Sequence, residues 1–223
     1  MDNMNKNDEA KRSSRRKFLK RTSAGAILAS LPAASVWGQD SLIAGSIAAS
    51  GHGSDYAGTT PIALLSPGKW KNWTSHWGAV SINAKYSQYT GNKPFGYGNA
   101  GIMKHKNGDI LTNSEMLDVT LYEVIKNVGG GDGNIKGKRS GPSNINCYIA
   151  EMILNAANHG QTIGGETIHF PILKTFNSSL GGSSNPGLFA DEYEFARYLH
   201  NNASGNEKAV AEELATFLVD HHV

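Results

Sequence analysis

Eight histidines, His52, His76, His105, His159, His169, His200, His221 and His222, are the side chains of this 223-residue chain best suited to hold a metal. Imidazole suits zinc and related ions, and a catalytic centre needs about three protein ligands plus an open position. No H-E-x-x-H or H-x-H pair occurs, so such a site has to assemble from separate elements. The set that could do so is His105, His159 and His169, with carboxylates such as Glu151 and Glu166; its chemistry would be metal-dependent hydrolysis. His221 and His222 are neighbours that point to different faces of a terminal helix. His159, beside Gly160, falls at a helix C-terminus, where a partly charged imidazole meets the negative end of the dipole.

Nucleophilic chemistry has less to stand on. Gly51-His52-Gly53-Ser54-Asp55 holds the residue types of a catalytic triad, but adjacent residues cannot bring hydroxyl, imidazole and carboxylate into one line. No G-x-S-x-G elbow and no G-x-x-x-x-G-K-[ST] phosphate loop occurs, and Gly129-Gly130-Gly131-Asp132-Gly133 comes after a helix, where it ends that helix. Cys147 is the single cysteine. Alone it excludes thiolate-bound iron–sulfur clusters, c-type haem attachment and any internal disulfide. Its place at a helix start would lower a thiol pKa, but its apolar flank favours a small core residue. No cofactor is expected, and a transition metal enters only with the histidine set.

The remaining local feature is aromatic. In "WKNWTSHW", Trp70, Trp73 and Trp77 are spaced i, i+3, i+7, so a helical turn aligns three indoles, with Lys69, Lys71 and His76 around them. Such a row could stack on a sugar or dock a partner. It could equally form one wall of the core, and the scarcity of other large apolar residues before Val80 favours the wall.

The elements that must position these groups indicate an α+β single domain over residues 61–223, with short antiparallel strands or a hairpin in its first half and about four helices mainly in its second. Apolar and polar residues alternate through Val80, Ile82, Ala84 and Tyr86, which predicts a strand over Ala79 to Tyr89. Asn107-Gly108 between two short extended runs predicts a hairpin, and the glycine-rich "GNKPFGYGNAG" before it a loop. Helices are expected from Thr112 or Asn113 to Asn127, from Asn144 to Asn158, from Ala190 to Asn201, and from Ser204 onward, where Ser204 and Glu207 have capping-box spacing. The second should bury one stripe of Ile145, Ile149, Met152, Ile153 and Ala156; "ETIHFPILKTF" reads as an edge strand because of Pro171.

The start of the chain carries different information. Ser14-Arg15-Arg16-Lys17-Phe18-Leu19-Lys20 fits the pattern S-R-R-x-F-L-K at every position. A modest apolar run from Ala24 to Leu31 and the small residues Ala33-Ala34-Ser35 follow it. In these residues, Arg15, Arg16, Phe18 and Leu19 above all, the segment resembles the twin-arginine signal of bacterial export, with cleavage expected between Ala33 and Gln39. The resemblance implies recognition by the twin-arginine machinery, passage across the inner membrane already folded, and a periplasmic or extracellular destination. A permanent membrane anchor is not expected, because Pro32 closes the apolar run well short of about 20 residues. The chain then divides into a signal over 1–38, a Gly/Ser/Ala-rich tether over 39–60 and the domain from 61 to 223.

Removing the signal also changes the charge. Eight of the 21 basic and three of the 19 acidic residues lie before Gln39, which leaves 13 against 16 and turns a net charge of +2 into −3. Nucleic acid therefore loses its electrostatic support as a partner. Within the domain, Ile62 to Ser140 has ten basic and five acidic residues, whereas Phe189 to Val223 has two and seven; opposed blocks of this kind suit a protein partner or self-association. Taken together, these features predict a folded-export accessory, assembly or binding subunit without its own catalytic site, the alternative being a periplasmic metal-dependent hydrolase built on the histidine and carboxylate set.

Overall fold

The computed structural model describes residues 61–126, 139–174 and 187–223. The signal, the tether with its Gly51 to Asp55 run, and Gly129 to Gly133 lie outside the described residues. Helices α1 (Pro67–Asn72), α2 (Tyr86–Thr90), α3 (Asn113–Leu117) and α4 (Leu121–Lys126) precede the long helix α5 (Ile145–Ala157). A hairpin of β1 (Thr162–Ile163) and β2 (Glu166–Thr167) follows, then α6 (Glu192–Ala203) and α7 (Glu207–Asp220). The domain thus combines helices with a small two-stranded antiparallel sheet.

Helix α5 is the axis of the core. Twelve of its 13 residues are buried, so it is enclosed on all sides rather than along the one stripe expected. Helices α1, α4, α6 and α7 pack around it. A helix so enclosed should be apolar throughout, yet Asn146, Glu151 and Asn155 are buried in it. The asparagines serve backbone that runs past the helix. Asn155 accepts from Leu65 N–H at 2.8 Å and donates to Leu65 C=O at 3.0 Å. Asn146 does the same for Phe95, at 2.9 Å and 2.9 Å, and donates also to Arg139 C=O at 3.0 Å. An amide carries both a donor and an acceptor, so one side chain replaces the ladder partner that a buried non-helical segment otherwise needs.

The first half departs from expectation. Ala79 to Tyr89 is not a strand: a turn passes into α2 at Tyr86. Only Lys85 is extended against a neighbour, bridging Thr120, with Tyr86 N–H donating to Val119 C=O at 2.9 Å and Leu121 N–H to Ala84 C=O at 2.9 Å. A short alternation is met as well by successive turns that bury Val80, Ala84, Tyr86 and Tyr89, and no longer edge is offered to pair with. The helix expected from Thr112 to Asn127 is two, α3 and α4. Of the two starts expected, Thr112 or Asn113, Thr112 is the cap, and it forms a capping box with Glu115; the second helix starts on the same chemistry, Thr120 accepting from Glu123 N–H at 3.1 Å while Glu123 accepts from Thr120 N–H at 2.8 Å. The Asn107-Gly108 hairpin forms, with Lys104 bridging Ile110 and His105 N–H donating to Asp109 C=O at 2.7 Å.

In the second half, α6 runs to Ala203 and uses Ser204 as its C-cap, so the Ser204–Glu207 capping box does not form, and Asn206 stands at the N-cap position of α7 without a side-chain capping bond. The edge strand expected from Glu166 shortens to β2. It turns back on β1 through Gly164 and Gly165, whose φ values of 60° and 90° match the two-residue turn that Gly-Gly favours. Beyond it His169 bridges Ala63 in the opposite direction.

Candidate functional site

The loop expected over Gly91 to Gly101 is held at both ends. At its start, Gly91 caps α2 in the left-handed conformation, φ 73°, and Thr90 Oγ1 donates to Asn92 C=O at 2.8 Å. At its end, Tyr97 bridges Ile102 and Gly101 N–H donates to Gly98 C=O at 2.9 Å, closing a tight turn. Gly96 lies against that turn so closely that a Cβ would stand 2.0 Å from Gly101 O. Between these points Asn146 pins Phe95 from inside the core.

The pinned Phe95 stacks on His200 of α6, with ring centroids 4.2 Å apart and an interplanar angle of 17°. On its other side His200 Nδ1 meets the hydroxyl of buried Tyr86 at 3.3 Å. Tyr86 O–H has this nitrogen as its partner among the described residues, so the hydroxyl proton is satisfied only by donation to Nδ1, and the imidazole N–H is then on Nε2. Burial pushes His200 down to about 4, against the opposing pull of the Glu207 carboxylate, so the ring is neutral near pH 7. His200 lines a surface pocket of about 350 Å³ together with residues 92–96 and 99–101. That volume lies at the small end of ligand sites, which run from about 300 to 1,000 Å³.

The sequence-predicted residues stand elsewhere. Trp70 and Trp77 are core, 0% and 2% exposed, with Trp77 Nε1 donating to Trp70 C=O at 2.9 Å. Trp73 is half-buried; α1 ends before it and its φ of −109° breaks the expected row. It lies over Gly164 of the β-hairpin, and the Lys69 ammonium sits 5.7 Å from its ring. Lys69 also pairs with Glu166 at 3.3 Å. The three indoles therefore do not present one common face.

Of the histidine set, His159 and His169 are neighbours, with ring centroids 5.2 Å apart, whereas His105 is at the Asn107-Gly108 hairpin and faces Glu115 at 3.1 Å. Phe170 N–H donates to His159 Nδ1 at 3.1 Å. Burial first, then repulsion by His169, holds His159 at about 4, so the partly charged imidazole expected at the end of α5 is neutral instead. Among the described residues no group of three or more His, Cys, Asp or Glu side chains is placed to hold a metal. Glu151 is fully buried, and burial raises its carboxyl well above the usual range; Cys147, one turn earlier, has its thiol raised by the same burial and by Glu151.

None of the predicted site residues lies in the pocket lining. Two signals were available: His200 falls on the apolar face of α6 with Phe195, Ala196, Leu199 and Ala203, and Gly96-Tyr97-Gly98-Asn99-Ala100-Gly101 has the letters G-x-G-x-x-G. The second is not a dinucleotide fingerprint here, since the six residues form a hairpin turn with no helix opening after them. In comparisons with protein-family models, curated proteins and solved structures, the chain matches none.

Proposed function

We propose that this protein is exported already folded by the twin-arginine machinery to the periplasm or beyond, and acts there as an accessory or binding component without a catalytic site of its own. The observation that carries the proposal is the S-R-R-x-F-L-K match at Ser14 to Lys20, followed by an apolar run too short to span a bilayer. The binding half is supported by the pocket over His200, whose lining offers lysine, asparagine and phenylalanine side chains that can hold a small ligand. The opposed charge blocks of the domain suit a protein partner or a second copy of the chain as well.

Changing Arg15 and Arg16 together to Lys tests the export reading, because a receptor reads the pair whereas folding depends on the domain beyond Pro61. Cell fractionation should then find no mature protein in the periplasm and a soluble, protease-resistant precursor in the cytoplasm. Undiminished export of the Lys-Lys variant through the general secretory route would overturn it.

A further inference from the structure

We infer that the pocket between the 91–101 loop and His200 binds a small carboxylate with an apolar flank, an inference that rests on the binding-component reading. Every polar side chain in its lining can donate: the Lys93 ammonium, the Asn92 and Asn99 amides and the His200 Nε2–H. None of the lining residues is acidic. Lys93 Nζ donates to Asn113 Oδ1 at 2.8 Å, a neutral partner that orients the ammonium without cancelling its charge, and it has no ion pair among the described residues. Arg197, one turn before His200 on α6, adds a second cation beside the loop: its Nε lies 3.9 Å from where a Cβ on Gly91 would stand. Glu207 is the acid that acts on His200, and its Oε1 is engaged by Gly205 N–H at 3.2 Å.

The two kinds of contact are complementary. A carboxylate has only acceptors, about four lone-pair sites on two oxygens, and takes charge-assisted bonds from an ammonium and an imidazole N–H without leaving either donor unpaired. A phosphate monoester would bring close to two charges at neutral pH, whereas Lys93 is the one cation in the lining and Arg197 stands outside it beside Gly91, so a single negative charge is the better match. The flat ring of Phe95, fixed by Asn146 and backed by His200, supplies an apolar surface for the rest of the molecule.

Benzoate and benzamide are the probes, since they share the ring and differ in charge. Titrated at pH 7 into the isotope-labelled full chain and followed by NMR, benzoate should shift the His200 ring and the Gly96 and Gly101 amides saturably, with a millimolar dissociation constant. Benzamide should bind about tenfold more weakly, the loss of one charge-assisted contact. Lys93 is exposed and makes one bond, so Lys93→Met should leave the fold unchanged and weaken benzoate by about tenfold, while Lys93→Arg retains binding. Equal binding of the two probes, equal binding by Lys93→Met, or no shift with benzoate at about 50 mM would each overturn the carboxylate assignment. Failure here with the export result intact rejects this ligand class alone; loss of the export result rejects the function on which it rests.

Discussion

Asn146→Ala lowers the unfolding free energy by about 3 kcal/mol and takes the pocket apart. The substitution removes three hydrogen bonds from a fully buried amide: it strands Phe95 N–H and Phe95 C=O and takes a donor away from Arg139 C=O. Each buried group left unpaired costs about 1 kcal/mol or more. For a domain of this size that is a fall of about 10 °C in melting temperature. The functional consequence follows from the same bonds. Released from Asn146, Phe95 no longer stacks on His200, water reaches the imidazole, and its pKa climbs from about 4 towards the ordinary 6.5. Asn146→Asp, at a pH where its carboxyl is protonated, keeps an acceptor for Phe95 N–H and has one O–H donor where the amide has two N–H donors for the two carbonyls, so it should fall between wild type and alanine. Chemical denaturation and a histidine titration of the alanine variant check both halves. A loss well under about 1 kcal/mol, with His200 unmoved, would show that the loop is held by other contacts.

Glu151→Met works in the opposite direction and raises stability by about 2 kcal/mol at pH 7. Both carboxyl oxygens of Glu151 are buried without a hydrogen-bond partner among the described residues, and burial holds its pKa well above the ordinary 4.5. The folded state therefore keeps a proton that the unfolded chain gives up above about pH 4.5, and wild-type stability contributed by this group falls as pH rises through that value. Methionine has nearly the same length, buries no polar atom and carries no such penalty. The gain should thus be large at pH 7 and shrink towards pH 4. His159 and His200 pull wild-type stability the other way, since a lowered histidine pKa costs stability as pH falls below 6.5. Both proteins retain them, so that contribution cancels in the difference. Denaturation curves of the two proteins at about pH 7 and about pH 4 decide the matter; a destabilised variant at pH 7 would mean that the carboxyl has a role in the core that methionine cannot fill.

What could be read in the sequence follows the range over which each signal acts. Helix α5 was legible because a dense apolar run, with Gly160 behind it, leaves no other packing. The Asn107-Gly108 hairpin and the helix start at Thr112 or Asn113 were legible because each is decided within about four residues. The break between α3 and α4 was also written locally, in the second T-x-x-E at Thr120 to Glu123, and was hidden by the apolar period running through it. Ala79 to Tyr89 failed for a different reason: a strand needs an edge to pair with, and which edge exists is decided some 35 residues later, at Thr120. The pocket was illegible for the same reason, since Phe95, Asn146 and His200 are separated by about 50 residues each and only the fold brings them together.

His200 is the group on which the loop, the clasp from α5 and the proposed ligand all converge. Long-range proton–nitrogen NMR of its imidazole, followed from about pH 8 down to about pH 3, reads tautomer and charge at once. With Tyr86 donating to Nδ1, Phe95 stacked on the ring and Glu207 close by, the expected result is a neutral Nε2–H tautomer that titrates at about 4. A midpoint near the ordinary 6.5, or an Nδ1–H tautomer at neutral pH, would contradict the site as described.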